Sequence, residues 1–284
     1  VKIGVYIFPT DECIQPIELA KAVEERGLES LFFPEHSHIP TARTTPWGGR
    51  KGAPDLPPEY WRSHDQFVAL GAAAAVTSTI KLGTGICLVA QRDPIYTAKA
   101  VASLDVISEG RAVFGIGYGW NKEEMSDHGT EYLDRRARLR ECILAMKELW
   151  TKDEAEFHGD YVNFDKSWQW PKPKQSPHPP IIMGGSAGPK TIADIVDFCD
   201  GWMPIALGRP AAQLFEQVRE AAEAEGRSRD TLQFGAFGGG GDPEVLSELG
   251  EAGANRVVLT LPQAGPDVVL PVLDKYAALI DTYA

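Results

Sequence analysis

Apolar positions fall into two alternating patterns along the chain. Short runs rich in apolar residues occur at Lys2–Phe8, Glu29–Phe33, Ile80–Val89, Arg111–Ile116, Pro180–Met183, Asp200–Ile205, Leu232–Phe237 and Arg256–Leu261. They alternate with segments of helical spacing at Ile17–Arg26, Ser63–Thr77, Thr97–Ile107 (opening after Pro94), Asp134–Trp150, Pro189–Phe198, Ala211–Glu225, Pro243–Ala252 and Asp267–Tyr283. Leu139, Ile143, Met146 and Trp150 share one helical face, as the 3.6-residue period requires. Strands such as Leu31-Phe32-Phe33 and Val257-Val258-Leu259 have no polar face, which suits a parallel sheet covered on both sides. Eight strand–helix units in 284 residues predict an α/β fold, a (β/α)8 TIM barrel forming a single domain over residues 1–284. A doubly wound open sheet would more usually hold five or six strands.

Two connections exceed the length of an ordinary loop, ~12–15 residues. Residues 37–62 form an insertion after the second strand and carry Trp47, Gly48, Gly49, Tyr60 and Trp61. Residues 152–179 form a long loop before the fifth strand and carry Phe157, Tyr161, Phe164, Trp168 and Trp170. Their aromatic content predicts packed walls or lids over or beside the barrel mouth.

Composition narrows the partners. The chain is 43% hydrophobic and 24% charged, with a net charge of −12. An acidic chain lacks the basic surface that displaces counterions from nucleic acid, so a nucleic-acid partner is not expected. No apolar run is long enough to span a bilayer, and Val1–Val5 reads as a first strand without the layout of a signal peptide. The expected setting is cytoplasmic, with a small-molecule partner. Cys13, Cys87, Cys142 and Cys199 are widely spaced, which argues against disulfides or a zinc site.

In a barrel of this kind the chemistry sits at the C-terminal ends of the strands. There the chain carries Glu35-His36-Ser37-His38, Thr84-Gly85-Ile86, Gly117-Tyr118-Gly119-Trp120-Asn121 and Gly184-Gly185-Ser186-Ala187-Gly188. The last run leads into Pro189 and a helix, whose free N–H groups and positive dipole end suit a phosphate. A tight turn with a helix cap accounts for the same residues. Gly115-x-Gly117-x-Gly119 lacks the third glycine of a dinucleotide fingerprint at the proper spacing, and it sits on the fourth strand–helix unit instead of the first. Gly238–Gly241 before Asp242-Pro243 is a second phosphate candidate, with an Asp helix cap as the simpler account. His36 and His38 on an extended strand would face one side, as in metal-dependent hydrolases of this fold. The remaining histidines, His64, His128, His158 and His178, fall in helices or long loops, so no metal ligand set is expected. Arg135, Arg136, Arg138 and Arg140 read as a solvated or subunit-facing helix surface.

Leu104-Asp105-Val106-Ile107-Ser108-Glu109-Gly110-Arg111, Gly115 through Trp120, Pro34-Glu35-His36, Arg135 through Trp150 with Phe157-His158-Gly159, and Ile182 through Ser186 together resemble the luciferase-like oxidoreductases. The resemblance covers nearly the whole chain and is most similar to the actinobacterial branch that uses the deazaflavin coenzyme F420; the other branch uses FMN with molecular oxygen. It implies a homodimer and a cofactor ring near strands two to four. By position, Glu35, His36, Thr84, Gly85, Ile86, Gly117 and Gly119 would line the ring or its side chain, with a non-prolyl cis peptide at Thr84-Gly85-Ile86. Gly184, Gly185, Ser186 and Ala187 would take the phosphate. Family members that oxidise sugar phosphates place a glutamate just after the fourth-strand glycine, where this chain has Tyr118-Gly119-Trp120-Asn121. Trp47, Tyr60, Trp61 and Trp120 therefore point to a flat or apolar substrate. His36 is the expected proton donor, with Tyr118 as the alternate. Three rival functions are an FMN-dependent monooxygenase, a metal-dependent hydrolase built on His36 and His38, and a non-catalytic cofactor carrier.

Overall fold

A computed structural model of the chain describes residues 1–205 and 211–283. Among the described residues, ten strands occur in order: β1 (Lys2–Tyr6), β2 (Ser30–Phe33), β3 (Lys81–Thr84), β4 (Ala112–Ile116), β5 (Ala155–His158), β6 (Asn163–Ser167), β7 (Ile181–Met183), β8 (Gly201–Trp202), β9 (Gln233–Phe237) and β10 (Arg256–Thr260). Eight of them close a parallel barrel in the order β1-β10-β9-β8-β7-β4-β3-β2, while β5 and β6 pair only with each other. Closure runs through β1 and β10, with Lys2 opposite Arg256 and Tyr6 opposite Thr260.

Helices α1 (Pro16–Glu25), α2 (Glu59–Arg62), α3 (Gln66–Val76), α4 (Pro94–Ile107), α5 (Lys122–Asp127), α6 (Arg135–Thr151), α7 (Pro189–Phe198), α8 (Ala211–Ala224), α9 (Pro243–Glu251), α10 (Pro266–Ala277) and α11 (Ile280–Tyr283) complete the chain. The predicted barrel is present, with local differences that have physical causes. Asp65 accepts from the N–H groups of Phe67 and Val68 at 2.9 and 3.0 Å, so α3 begins at Gln66 and not at Ser63. Asp93 caps Tyr96 N at 2.8 Å, and Pro94 then opens α4 three residues before Thr97. The third strand ends at Thr84, short of Val89. Beyond it the Gly85–Ile86 peptide is cis, and the chain turns through a single 3-10 turn at Val89–Gln91. The Asp200–Ile205 strand shrinks to β8 plus one bridge between Ile205 and Phe237.

Two apolar layers explain the uniformly apolar strands. Phe32, Val113, Ile182, Met203, Phe237 and Val258 fill the barrel interior, while Val5, Leu31, Phe33 and Leu82 face the helices. Phe237 packs edge-on to Phe32 at 5.5 Å and against Tyr6 at 4.7 Å. This stack closes the barrel from within, and its upper rings form the floor of the mouth. Burying one such side chain contributes about 1.5–3 kcal/mol.

Candidate active site

A cleft of about 520 Å³ opens at the C-terminal ends of the strands. Tyr6 and Phe237 form its floor, and Gly85, Ile86, Gly117 and Gly184 its strand-end side. The glycines keep this side close-packed: a Cβ at Gly85 would lie 2.5 Å from Phe237 Cζ, and one at Gly117 would displace Ile86 Cδ1. Thr84 is buried below this surface, donating to Gly115 O at 2.6 Å, so it ties β3 to β4 and does not line the cleft.

His36 enters the cleft from the end of β2. Its Nδ1 stands 2.6 Å from Glu124 Oε2, and the two side chains are 5% and 1% exposed, which leaves little water to compete for either partner. Glu124 also accepts from Ser37 N at 3.0 Å and Gln91 Nε2 at 2.8 Å. Burial pushes the Glu124 carboxyl upward, but the bonds from His36, Gln91 and Ser37 outweigh it and hold the group below the usual carboxylate range. An ionised carboxylate only accepts hydrogen bonds, so it fixes the proton on Nδ1 and leaves Nε2 for a ligand. Tyr60 and Trp120 flank the imidazole at 5.0 and 5.6 Å between ring centres.

Glu35 lines the cleft beside His36, with its carboxylate engaged by neighbouring protein groups. Its carboxylate accepts from Leu88 N at 2.6 Å and pairs with Arg92 at 2.5 Å, anchoring the turn that follows β3. His38 does not share a face with His36, because β2 has ended at Phe33. It lies at the surface, 2.9 Å from Asp127. Among the described residues, no group of three or more His, Cys, Asp or Glu side chains is arranged to hold a metal ion.

The opposite end of the cleft is cationic. Arg135 and Arg136, at the start of α6, line it together with Gly185, Ser186 and Thr191. This corrects the reading of the arginine run as an outer surface, which holds only for exposed Arg140. Arg138 donates to Ala90 O at 2.8 Å, and Arg140 pairs with Asp197 at 2.6 Å. Arg135 lies over the Tyr132 ring at 3.6 Å, and its buried Nε has no acceptor among the described residues. Arg136 pairs with Asp194 at 2.8 Å and donates to the Tyr118 hydroxyl at 2.9 Å. Tyr118 in turn donates to Asp194 at 2.5 Å. Burial, then the Asp194 carboxylate, raises its ionisation well above the usual phenol range. Tyr118 is therefore a poor proton donor, and the expected alternate role does not fit its surroundings. A Cβ at Gly185, whose φ is +92°, would meet no atom within 4 Å, so the backbone there faces open space.

The substrate-side aromatics divide. Tyr60 and Trp120 line the cleft, while Trp47 packs behind Tyr60 at 5.8 Å. Trp61 is 52% exposed and belongs to a separate outer cleft with Ile39, Pro40 and Leu56. Ala187 lies among the partly buried residues packed on the core and does not line the cleft. Gly238–Gly241 are likewise absent from the lining, and Asp242 caps α9 by accepting from Glu244 N at 2.9 Å. No residue of 152–179 lines the cleft either. That segment packs outside the barrel on α4 and α6, through Gln169 to Ile95 O and Glu141 to the Tyr161 and Val162 N–H groups. The sequence reading did not single out Glu124, Gln91, Arg135, Arg136 or Asp194 as site residues. Two adjacent arginines opening a helix beyond a glycine-rich strand end would have been the one usable signal.

Residues 14–239 match the family described as luciferase-like monooxygenase. The chain belongs to that family. An uncharacterized protein of Mycobacterium tuberculosis is 36% identical over 281 residues, spanning 97% of both chains. An F420-dependent glucose-6-phosphate dehydrogenase of Kineococcus radiotolerans is 30% identical over 76% of this luciferase-like chain and 60% of its own length. An FMNH(2)-dependent dimethylsulfone monooxygenase of Pseudomonas putida is 35% identical over 44% of this chain and 35% of its own. Among solved structures, the monooxygenase RslO1 of Streptomyces bottropensis covers 100% of both chains with a TM-score of 0.78 at 20% identity, a likeness of fold. Among the described residues, no helix of this family member is long and apolar enough to cross a membrane.

Proposed function

We propose that the protein is a coenzyme F420-dependent oxidoreductase that moves a hydride between the deazaflavin and a small, flat or apolar organic substrate. The observation that carries this reading is the two-ended cleft. One end holds an imidazole fixed by a buried carboxylate among aromatic rings, and the other holds Arg135, Arg136 and the glycine-rich start of α7. Glycine backbone joins the two ends. A ligand with a flat redox ring and an anionic tail matches that division, and F420-dependent relatives favour the deazaflavin over FMN.

When bound, the deazaflavin supplies hydride transfer at its C5. Arg135 and the N–H groups at Gly185 and Ser186 would hold its phosphate, where the positive end of the α7 dipole adds to the attraction. Glu35 would act through Arg92 and Leu88, holding the strand-end turn in place. His36 handles the proton at Nε2. In reduction, the imidazolium gives that proton to the oxygen of a carbonyl substrate; in oxidation, the neutral ring takes it from a hydroxyl. Nδ1–H stays on Glu124 throughout. Tyr60 and Trp120 keep water from the imidazole, and they set the preference for an apolar substrate. Trp120 occupies the stretch where sugar-phosphate oxidisers carry an acid, so a sugar phosphate is not the proposed substrate.

An anaerobic assay tests the reading. Reduced or oxidised F420 should turn over with members of an uncharged carbonyl and alcohol panel. Activity that requires reduced FMN and oxygen, and is absent with F420, would reassign the protein to the monooxygenase branch.

A further inference from the structure

Residues 43–49 run across the mouth as a strap, and a single carboxylate holds them. Glu123 Oε1, in the first turn of α5, accepts from Thr44 N at 2.8 Å, Thr44 Oγ1 at 2.8 Å and Thr45 N at 3.1 Å. Arg43 braces the same turn. It donates to Thr45 O at 2.6 Å and lies over the Trp120 ring at 5.9 Å. Beyond the latch, Trp47 packs on Tyr60, and Gly48 and Gly49 form part of the cleft lining. A Cβ added at Gly49 would come within 4.0 Å of Trp120 Cβ, so the strap runs beside the Trp120 wall with room for about one methyl group between them. Both glycines have positive φ, +61° and +69°, a conformation that glycine adopts without steric cost.

We propose that Glu123 is a positioning residue for the substrate side of the cleft: by latching residues 43–49 to α5 it sets the depth of the space above His36, and so the size of substrate admitted. Burial pushes its carboxyl upward, but the bonds from Thr45 and Thr44 outweigh that and hold it at about 2. The latch therefore stays charged throughout the neutral range. Neighbouring Glu124 holds His36 and Ser37 by the same means. Two consecutive carboxylates of one short helix thus fix the proton-handling ring and the wall facing it. Glu123 bonds Thr44 and Thr45 and, among the described residues, makes no hydrogen bond or ion pair with Arg135 or Arg136, so cofactor affinity should change little without it.

The size-selection part rests on the function proposed above; the latch itself does not. The test compares Glu123→Ala, Glu123→Gln and Glu123→Asp in the full chain. Amide exchange is the direct readout: in Glu123→Ala the Thr44 and Thr45 N–H groups should exchange at least tenfold faster, while α3 and α6 remain protected as in the parent. With F420 and the uncharged carbonyl and alcohol panel, KM for the smallest substrates should rise about tenfold with kcat within threefold. KM for bulkier substrates should fall or stay level. Glu123→Asp should recover part of both effects, and the F420 dissociation constant should stay within twofold. Unchanged amide exchange in Glu123→Ala overturns the latch. Faster exchange with a uniform change in KM across substrate sizes, or with a loss confined to kcat, overturns the positioning role. If the parent binds no deazaflavin, the function proposed above fails. Amide exchange then decides for or against the latch alone.

Discussion

Residues 37–62 are received at the mouth by carboxylates of α5: Glu124 takes Ser37 N, and Glu123 takes Thr44 and Thr45. The segment then delivers Tyr60 to within 5.0 Å of the His36 ring. Residues 152–179 are received from outside the barrel. There Glu141 of α6 takes the N–H groups of Asp160, Tyr161 and Val162, Asp105 of α4 takes Gln175, and Lys172 caps Leu149 O at 2.8 Å. Both segments are long and aromatic, yet one walls the cleft and the other braces two helices, leaving Trp168 81% exposed. Aromatic content reports that a loop will pack, but the position of the polar groups that receive its backbone decides where. Those groups lie on neighbouring helices, far away in sequence.

Substitutions at the two ends of the cleft and on the outer segment can sharpen or break this contrast. The largest effect is expected from His36→Ala. A positioned acid–base group is worth roughly 10²–10⁴-fold, so turnover should drop by that order while cofactor affinity changes little. Equal loss of both in a titration and a rate assay would make His36 a binding residue only. Next comes Arg135→Gln at the cationic end. A hydrogen bond to a charged group is worth about 1.5–3 kcal/mol, so cofactor affinity should weaken roughly tenfold to a hundredfold. An unchanged dissociation constant would remove the phosphate from that end.

Glu124→Gln should reduce kcat about tenfold, on the order of one charge-assisted hydrogen bond, because an amide can donate to Nδ1 and no longer fixes its proton. The pH dependence has a definite sign. Glu124 is held below the usual carboxylate range, so the charged contact with His36 persists through neutral pH. The carboxylate's charge, and with it the fixed Nδ1 proton, is lost as acid brings the pH down through that lowered value. An activity loss in the parent that appears on the alkaline side and vanishes in Glu124→Gln would contradict this assignment. The smallest effect belongs to the outer segment. Trp168→Ala should leave cofactor affinity and KM within twofold, and a tenfold change in either would bring residues 152–179 back into the site.

Much of this architecture was legible from the amino-acid pattern. Uniformly apolar strands such as Leu31-Phe32-Phe33 announced a sheet buried on both faces, and the glycines at 85, 117 and 184 marked strand ends where the backbone stays bare. His36 stood out because it follows a strand directly. Glu124 did not, because α5 has six residues, too few for a periodic signal. The sequence alone places Arg135 and Arg136 at the surface, because a charge run fixes a helix face only relative to its own axis. Only the packing of α6 between α4 and α7 turns its first residues toward the mouth.

The cleft is proposed to hold a deazaflavin with an anionic tail. The most direct measurement is a paired equilibrium titration of the purified full chain with coenzyme F420 and with FMN. F420 should bind stoichiometrically and more weakly in Arg135→Gln, with FMN binding at least tenfold weaker. Tight FMN binding without F420 binding would contradict it.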